Sequence, residues 1–293
     1  MDIADLAVFA AVADTGGITR AAERLGRVQS NVTARIKVLE LELGTLLFHR
    51  HSRGVDLTAA GRRLLPYAGR IAGLMAEAER AVREDDDVPR GRLVIGAMET
   101  TAAVRLPPLL VRFRSAYPEV ELAVSTGPTA ELVDRVLAYE LDAALVAGPI
   151  GHPEISEDAV FNEEMVLVTA TGRPGLEVPP PAAIVFRAGC SYRRRLEALL
   201  LSAGYGAVRW QELGTLEGIL GCVAADLGVT LLPRSVAGGH EAAGKVCCHP
   251  VPAPFAAVET MLASHRDAVP SAVLRALHAT ISAMQATDQS QGI

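Results

Sequence analysis

The side chains best suited to meet the edge of a base lie together in QSNVTARIK, residues 29–37. Gln29 carries an amide that can pair in two-pronged fashion with adenine, and Ser30, Asn31 and Thr33 can each donate or accept a hydrogen bond. Ala34 leaves room for close approach and can touch a thymine methyl, whereas Arg35 and Lys37 bring charges suited to phosphate. In the same segment Val32, Ile36, Leu39 and Leu43 recur at helical spacing on the opposite side. A face turned only to water usually carries long charged side chains, so a row of short polar ones leaves two readings, an ordinary solvated face or a helix laid in a groove of double-stranded DNA. Arg53, beside Gly54, is placed at a hairpin tip to meet phosphate or the minor groove, and Arg53→Ala is expected to weaken binding uniformly. Arg50 has two readings, a phosphate anchor or a partner in an intramolecular ion pair.

A second set of polar residues follows apolar runs in the C-terminal part. Thr100 and Thr101 follow Leu93–Ala97; Ser125, Thr126 and Gly127 follow the next run; Gly189, Cys190 and Ser191 follow Phe186; Thr215 precedes a helical pattern. Each hydroxyl can cap its helix, and each helix start also offers free N–H groups that favour an anion. Cys190 likewise has two readings. Beside Arg193, Arg194 and Arg195 at a helix start its thiol could be acidified and sense oxidants, or it could be a packed, pocket-lining cysteine.

Positioning these groups takes a definite set of elements. A first helix spans Ile3 to Ala13 and is ended by Gly16-Gly17, and a second begins at Ile18, with Ile18, Ala21, Ala22 and Leu25 in one stripe, and closes at Gly26. The third is the 27–44 stretch, so a tight glycine-containing turn joins the second and third helices. A small hairpin follows around Ser52-Arg53-Gly54, then Thr58 caps a long helix reaching Arg83, with a seam of Leu64, Tyr67, Ala68, Ile71, Met75, Ala78 and Val82. Such a helix is about 40 Å long, more than a small domain can cover, and predicts a partner helix. Charge and proline in EDDDVPRG, residues 84–91, mark a boundary. Beyond it, seven strand candidates alternate with helical patterns (Leu93–Ala97, Glu121–Ser125, Ala143–Ala147, Met165–Ala170, Ala183–Phe186, Val229–Leu232 and Glu259–Ala263), which predicts parallel sheets covered by helices. The end after Ala286 reads as a polar tail.

The net charge of −6 hides an asymmetry, because residues 16–70 hold ten Arg/Lys against four acids and the remainder is −12. Cys190, Cys222, Cys247 and Cys248 lack paired CxxC spacing, so reduced thiols and no metal are expected. The acidic opening residues and the short apolar run ending at Asp14 predict no signal peptide, no apolar run is long enough to span a membrane, and a cytoplasmic location is expected.

Across nearly its whole length the chain resembles the LysR-type bacterial transcriptional regulators. The matching stretches are FAAVADTGGITRAAERL, QSNVTARIKVLELELGTLLFHR, GVDLTAAG, LPPLLVRFRSAYPEVEL and ELDAALVAGP, with departures from the commonest pattern at Val28 and Ala34. The resemblance implies a winged helix-turn-helix in residues 1–58, a linker and dimerisation helix in 59–88, and an α/β two-lobed, periplasmic-binding-protein-like effector domain in 89–293. Lobe I would take residues 91–162 and 265–293, and lobe II residues 163–264. It also implies that Thr100, Thr101, Ser125, Thr126, Gly127, Gly189, Cys190, Ser191 and Thr215 line a cleft between lobes for a small effector bearing a carboxylate, with Thr101 essential to the response. The expected partners are promoter DNA, that effector and further copies of the chain as a homodimer or homotetramer, with no cofactor and no membrane. A solute-binding protein would share the two lobes but lack the DNA-reading segment, and an enzyme is disfavoured by the absence of the common nucleotide-binding, metalloprotease and nucleophile-elbow motifs. The alternative regulator is a thiol-based redox sensor using Cys190.

Overall fold

Asp2 starts the first helix, its carboxylate accepting from the Asp5 amide at 2.7 Å while Asp5 accepts in return from the Asp2 amide at 3.3 Å. Helix α1 (Ile3–Thr15) ends on Gly16 at φ +61°, α2 (Ile18–Arg24) follows after one residue, and α3 (Gln29–Leu43) ends on Gly44 at φ +64°. Strands β1 (Phe48–His51) and β2 (Gly54–Leu57) pair antiparallel, and α4 (Ala59–Arg83) completes this part. The computed structural model describes residues 1–51, 54–83, 89–268 and 270–291, which fall into two compact units, one mainly of residues 1–83 and one mainly of those after them. The expected wing residue Arg53 lies outside the described residues.

In the first unit Phe9, Val12, Ala21, Val32, Ile36, Leu39 and Leu47 form a core with almost no exposure. Leu43, expected in the same stripe, is 39% exposed, because α3 has by then run past the helices that cover its start. The wing is held by short-range polar contacts. The buried Glu40 side chain accepts from the amides of Leu47 (2.8 Å) and Phe48 (3.3 Å), and Thr58 donates to the Leu46 carbonyl (2.7 Å) while accepting from the Gly61 amide (3.0 Å) as the cap of α4. Gly54 has φ +145°, and a Cβ there would collide with the Gly16 carbonyl oxygen, to which the Val55 amide donates at 3.1 Å. The expected α4 seam meets this core over only part of its length. Ala68 is buried and Leu64 and Ile71 pack on the core, whereas Tyr67, Met75, Ala78 and Val82 are exposed, since only the first half of a 25-residue helix has this core to lie on.

The second unit runs β3 (Gly91–Ala97), α5 (Glu99–Val104), α6 (Leu106–Ala116), β4 (Val120–Thr126), α7 (Thr129–Leu137), β5 (Ala143–Ala147), β6 (Ile155–Ala170), β7 (Ala183–Val185) and α8 (Ser191–Ser202). It continues through β8 (Trp210–Glu212), α9 (Leu216–Ala224), β9 (Thr230–Pro233), α10 (Arg234–Ala242), β10 (Val246–Pro250), β11 (Ala257–His265) and α11 (Ala272–Gln291). The main sheet follows the order β10-β6-β11-β5-β3-β4, with β9 also on β6. Parallel pairing holds for β3 with β4 and β5 and for β7 with β8, but β6 and β11 pair antiparallel with each other and with their other partners. The expectation of wholly parallel sheets therefore fails, because these two long strands carry the chain between two halves. One core gathers around Leu93, Leu109, Phe113, Leu145, Leu277 and Ile281; the others lie around Leu167, Leu196 and Leu231 and around Ile219, Leu220 and Val223. The C-terminal residues taken for a tail belong to α11 as far as Gln291.

If the Glu40 clasp fixes the wing, Glu40→Ala will cost about 1.5–3 kcal/mol of stability and speed hydrogen exchange at the Leu47 amide. Urea unfolding together with amide exchange measures both. Unchanged protection at Leu47 would show that the clasp does not hold the wing.

Candidate DNA-reading face and ligand cleft

The third helix presents Gln29, Ser30, Thr33, Ala34 and Lys37 around one shallow depression, while the intervening Val32 and Ile36 are buried. Asn31 is exposed beside them. Helical periodicity alone produces this separation, since residues three and four apart share a face. Arg35 does not join the depression. Its guanidinium donates to Asp5 at 2.8 Å and lies 3.6 Å from Asp2, tying α3 to the start of α1. The reading of Arg35 as a phosphate anchor gives way to this bond, which was legible only once α1 and α3 were seen to pack. Arg50 is exposed on β1 and has no ion pair among the described residues.

In the second unit a cleft of about 310 Å³ opens between the halves. Of the nine residues expected there, Thr100, Thr126, Gly127 and Cys190 line it. Thr101 is buried but outside the lining, and Ser125 is also outside, its hydroxyl accepting from Arg135 at 2.9 Å. Thr215 caps α9, accepting from the Gly218 amide at 3.2 Å, and Ser191 meets the Arg194 guanidinium at 3.5 Å. Gly189, at φ +91°, accepts from the Ala130 amide at 3.5 Å. Of these five, Thr215 has a capping bond of its own.

Sequence patterns missed much of the lining. Glu99 and Glu131 enter from α5 and α7, and Arg187, Tyr192 and Leu213 from the opposite half. The position of Glu99 directly before Thr100, two residues past a strand end, was the available signal for the first. One carboxylate oxygen of Glu99 accepts from the Leu216 amide at 2.9 Å, so an internal carboxylate already occupies the start of α9. Thr100 and Tyr192, both buried, approach within 3.4 Å through their hydroxyls. Burial pushes the Tyr192 phenol well above its ordinary range, with the Thr100 contact a smaller opposing effect. Burial likewise pushes the Cys190 thiol up, only partly offset by the Arg193 and Tyr192 amides and the nearby arginine charges. An acidified, peroxide-reactive thiol is the opposite of this arrangement. Cys248 is pushed up to about 11, first by burial and then by the Glu241 carboxylate. All four cysteines are free, and no cluster of three or more metal-ligating side chains occurs among the described residues.

A three-helix head with a β-wing and a polar depression on its third helix, in one chain with a two-lobed α/β unit holding a polar cleft, defines a ligand-responsive regulator that binds DNA. Residues 3–62 match the family model described as bacterial regulatory helix-turn-helix protein, lysR family, and residues 86–286 match the LysR substrate binding domain. The uncharacterized HTH-type transcriptional regulator YusT of Bacillus subtilis (strain 168) is 46% identical over 277 residues, covering 94% of this chain and 93% of its own. GltR, an HTH-type transcriptional regulator of the same strain, is 43% identical over 280 residues, covering 94% of each. Among solved structures, a full-length OxyR variant from Pseudomonas aeruginosa has a TM-score of 0.71 at 24% identity, covering 96% of this chain and 94% of its own. Full-length CbnR in complex with its target DNA has a TM-score of 0.66 at 22% identity, covering 97% and 99%. The chain belongs to the LysR family and is a DNA-binding transcriptional regulator with an effector-binding domain. No helix among the described residues is long and apolar enough to cross a membrane.

Raised thiol pKa values mean less thiolate at neutral pH. Alkylation of Cys190 and Cys248 by iodoacetamide at pH 7 is therefore expected to be slower than that of a free thiol and to accelerate with rising pH. Mass spectrometry of peptides over time measures this. Rapid, pH-independent labelling of Cys190 at pH 7 would restore the redox-sensor reading.

Proposed function

We propose that this regulator binds a roughly palindromic operator as a homodimer or homotetramer, each subunit laying Gln29, Ser30, Asn31, Thr33 and Ala34 in the major groove. Lys37, Arg50 and Arg53 meet phosphates around them. The observation that carries this reading is the depression on α3, where short polar side chains and one lysine surround an open floor. The exposed Tyr67, Met75 and Val82 on α4 support pairing of the long helices between subunits, since apolar side chains in a row on a long helix are stabilised by a partner. A small effector bearing a carboxylate binds the cleft, and the differential affinity it needs to shift promoter contacts is about 1–3 kcal/mol. The protein acts in the cytoplasm and is not an enzyme, a reading supported by relatives named as transcriptional regulators.

The domain division follows the same logic. Residues 1–58 form the reading head, 59–88 the linker and dimerisation helix, and 89–293 the effector domain, with residues 91–162 and 265–293 in one lobe and 163–264 in the other.

Mobility-shift titrations over a panel of operator variants test the reading face. Gln29→Ala is expected to change the order of preference among variants, and Lys37→Ala to weaken all of them alike while lowering the salt slope by about one. A Gln29→Ala protein with the original order of preference would remove Gln29 from base contact.

A further inference from the structure

The cleft holds an acidic and a basic side chain that have no partner among the described residues. Glu131, on α7, and Arg187, just beyond β7, are exposed residues that both line it, and among the described residues neither side chain makes an ion pair or a hydrogen bond. Their charged ends lie over the glycine floor. A Cβ added at Gly127 would sit 3.4 Å from Oε1 of Glu131, and one added at Gly214 would sit 3.2 Å from Nη2 of Arg187. Glu99 brings a second carboxylate, of which one oxygen is engaged by the Leu216 amide at 2.9 Å. That bond fills the start of α9, leaving Arg187 as the cationic group on the cleft wall. Two carboxylates against one guanidinium give the lining a net negative charge, a poor match for a ligand that is only an acid.

We propose that the effector is a small zwitterion of amino-acid type, its ammonium held by Glu131 and the remaining oxygen of Glu99 and its carboxylate held by Arg187. This deepens the reading of the cleft as the effector site and rests on it. A volume of about 310 Å³ lies at the low end of small-molecule sites, which run from about 300 to 1,000 Å³, and suits a ligand of this size. Hydroxyls of Thr100 and Thr126 supply further hydrogen bonds on the same wall as Glu99. Because Glu131 and Arg187 stand on opposite halves, a ligand must carry both charges to satisfy both, and in doing so it spans the cleft. An acid alone would leave Glu131 unmatched, and an amine alone would leave Arg187 unmatched.

Calorimetric titration of the full-length protein with the standard L-amino acids tests this, each compared with its des-amino acid and its decarboxylated amine. At least one amino acid is expected to bind, with both analogues weaker by at least about tenfold. Glu131→Gln should weaken the amino acid and not the des-amino acid, whereas Arg187→Met should weaken both. The ligand-free melting temperatures of the variants serve as the check on folding. Ala188→Trp, which fills the cleft from an exposed lining position, should abolish binding. Des-amino acids binding as tightly as amino acids, and blocked by Ala188→Trp, would overturn the zwitterion while leaving the cleft as the effector site. Binding that survives Ala188→Trp would overturn the cleft reading itself. No binding by any of the amino acids would overturn the proposal.

Discussion

Burial of one stripe of α3 is the constraint on which the DNA-reading part of the molecule depends. Val32, Ile36 and Leu39 have essentially no exposure, and burying each is worth about 1.5–3 kcal/mol. Turning the helix by one residue would expose all three, a cost beyond the about 0–1 kcal/mol of a surface ion pair such as any made by its outer side chains. The core therefore fixes the rotation of the helix, and the rotation fixes which side chains face outward. Ser30, Thr33, Ala34 and Lys37 are outside for that reason. Glu40, at the edge of the stripe, then carries the geometry onward by holding the Leu47 and Phe48 amides, so the wing is placed by the same helix.

A different constraint shapes the second unit. Strands β6 and β11 pass through both halves of the sheet, and the buried Glu163 on β6 accepts from Arg105 at 2.8 Å and from Ser235 at 2.7 Å. Arg105 lies between α5 and α6 and Ser235 on α10, and these helices pack on different cores, so this carboxylate joins the halves near the crossing, as Glu99 does at the cleft through the Leu216 amide. A buried carboxylate bonded at both oxygens, as Glu163 is, favours one arrangement of the halves over others. A ligand in the cleft acts against or with these ties, which gives effector binding a physical route to the rest of the unit.

What could be read from the sequence follows from how locally each feature is encoded. The helices of the head have 3.6-residue periodicity and glycine stops at Gly16, Gly26 and Gly44, and the observed bounds lie within two residues of those expected. The first ten residues of β6, ISEDAVFNEE, escaped because their four acids disguise a strand, and α10 escaped because Gly238 and Gly239 lower its helical propensity. Helix α11 had an apolar stripe at Val273, Leu277, Ile281 and Met284, masked by the polar residues that follow. In the cleft, hydroxyl-bearing residues at strand ends were legible as candidates, but a Ser or Thr that caps a helix looks identical in sequence to one that faces a ligand. Glu131 and Arg187 were not legible, because their meeting in one cavity depends on how two halves far apart in the chain come together.

The central claim is that the outward face of α3 lies in the DNA groove. The most direct measurement is photo-cross-linking from a reactive residue placed at Ala34, on that face, compared with one placed at exposed Glu42, using duplexes selected for binding to the full-length protein. The account predicts cross-links to bases from position 34 and none from position 42. Cross-links from position 42 with none from position 34 would contradict it.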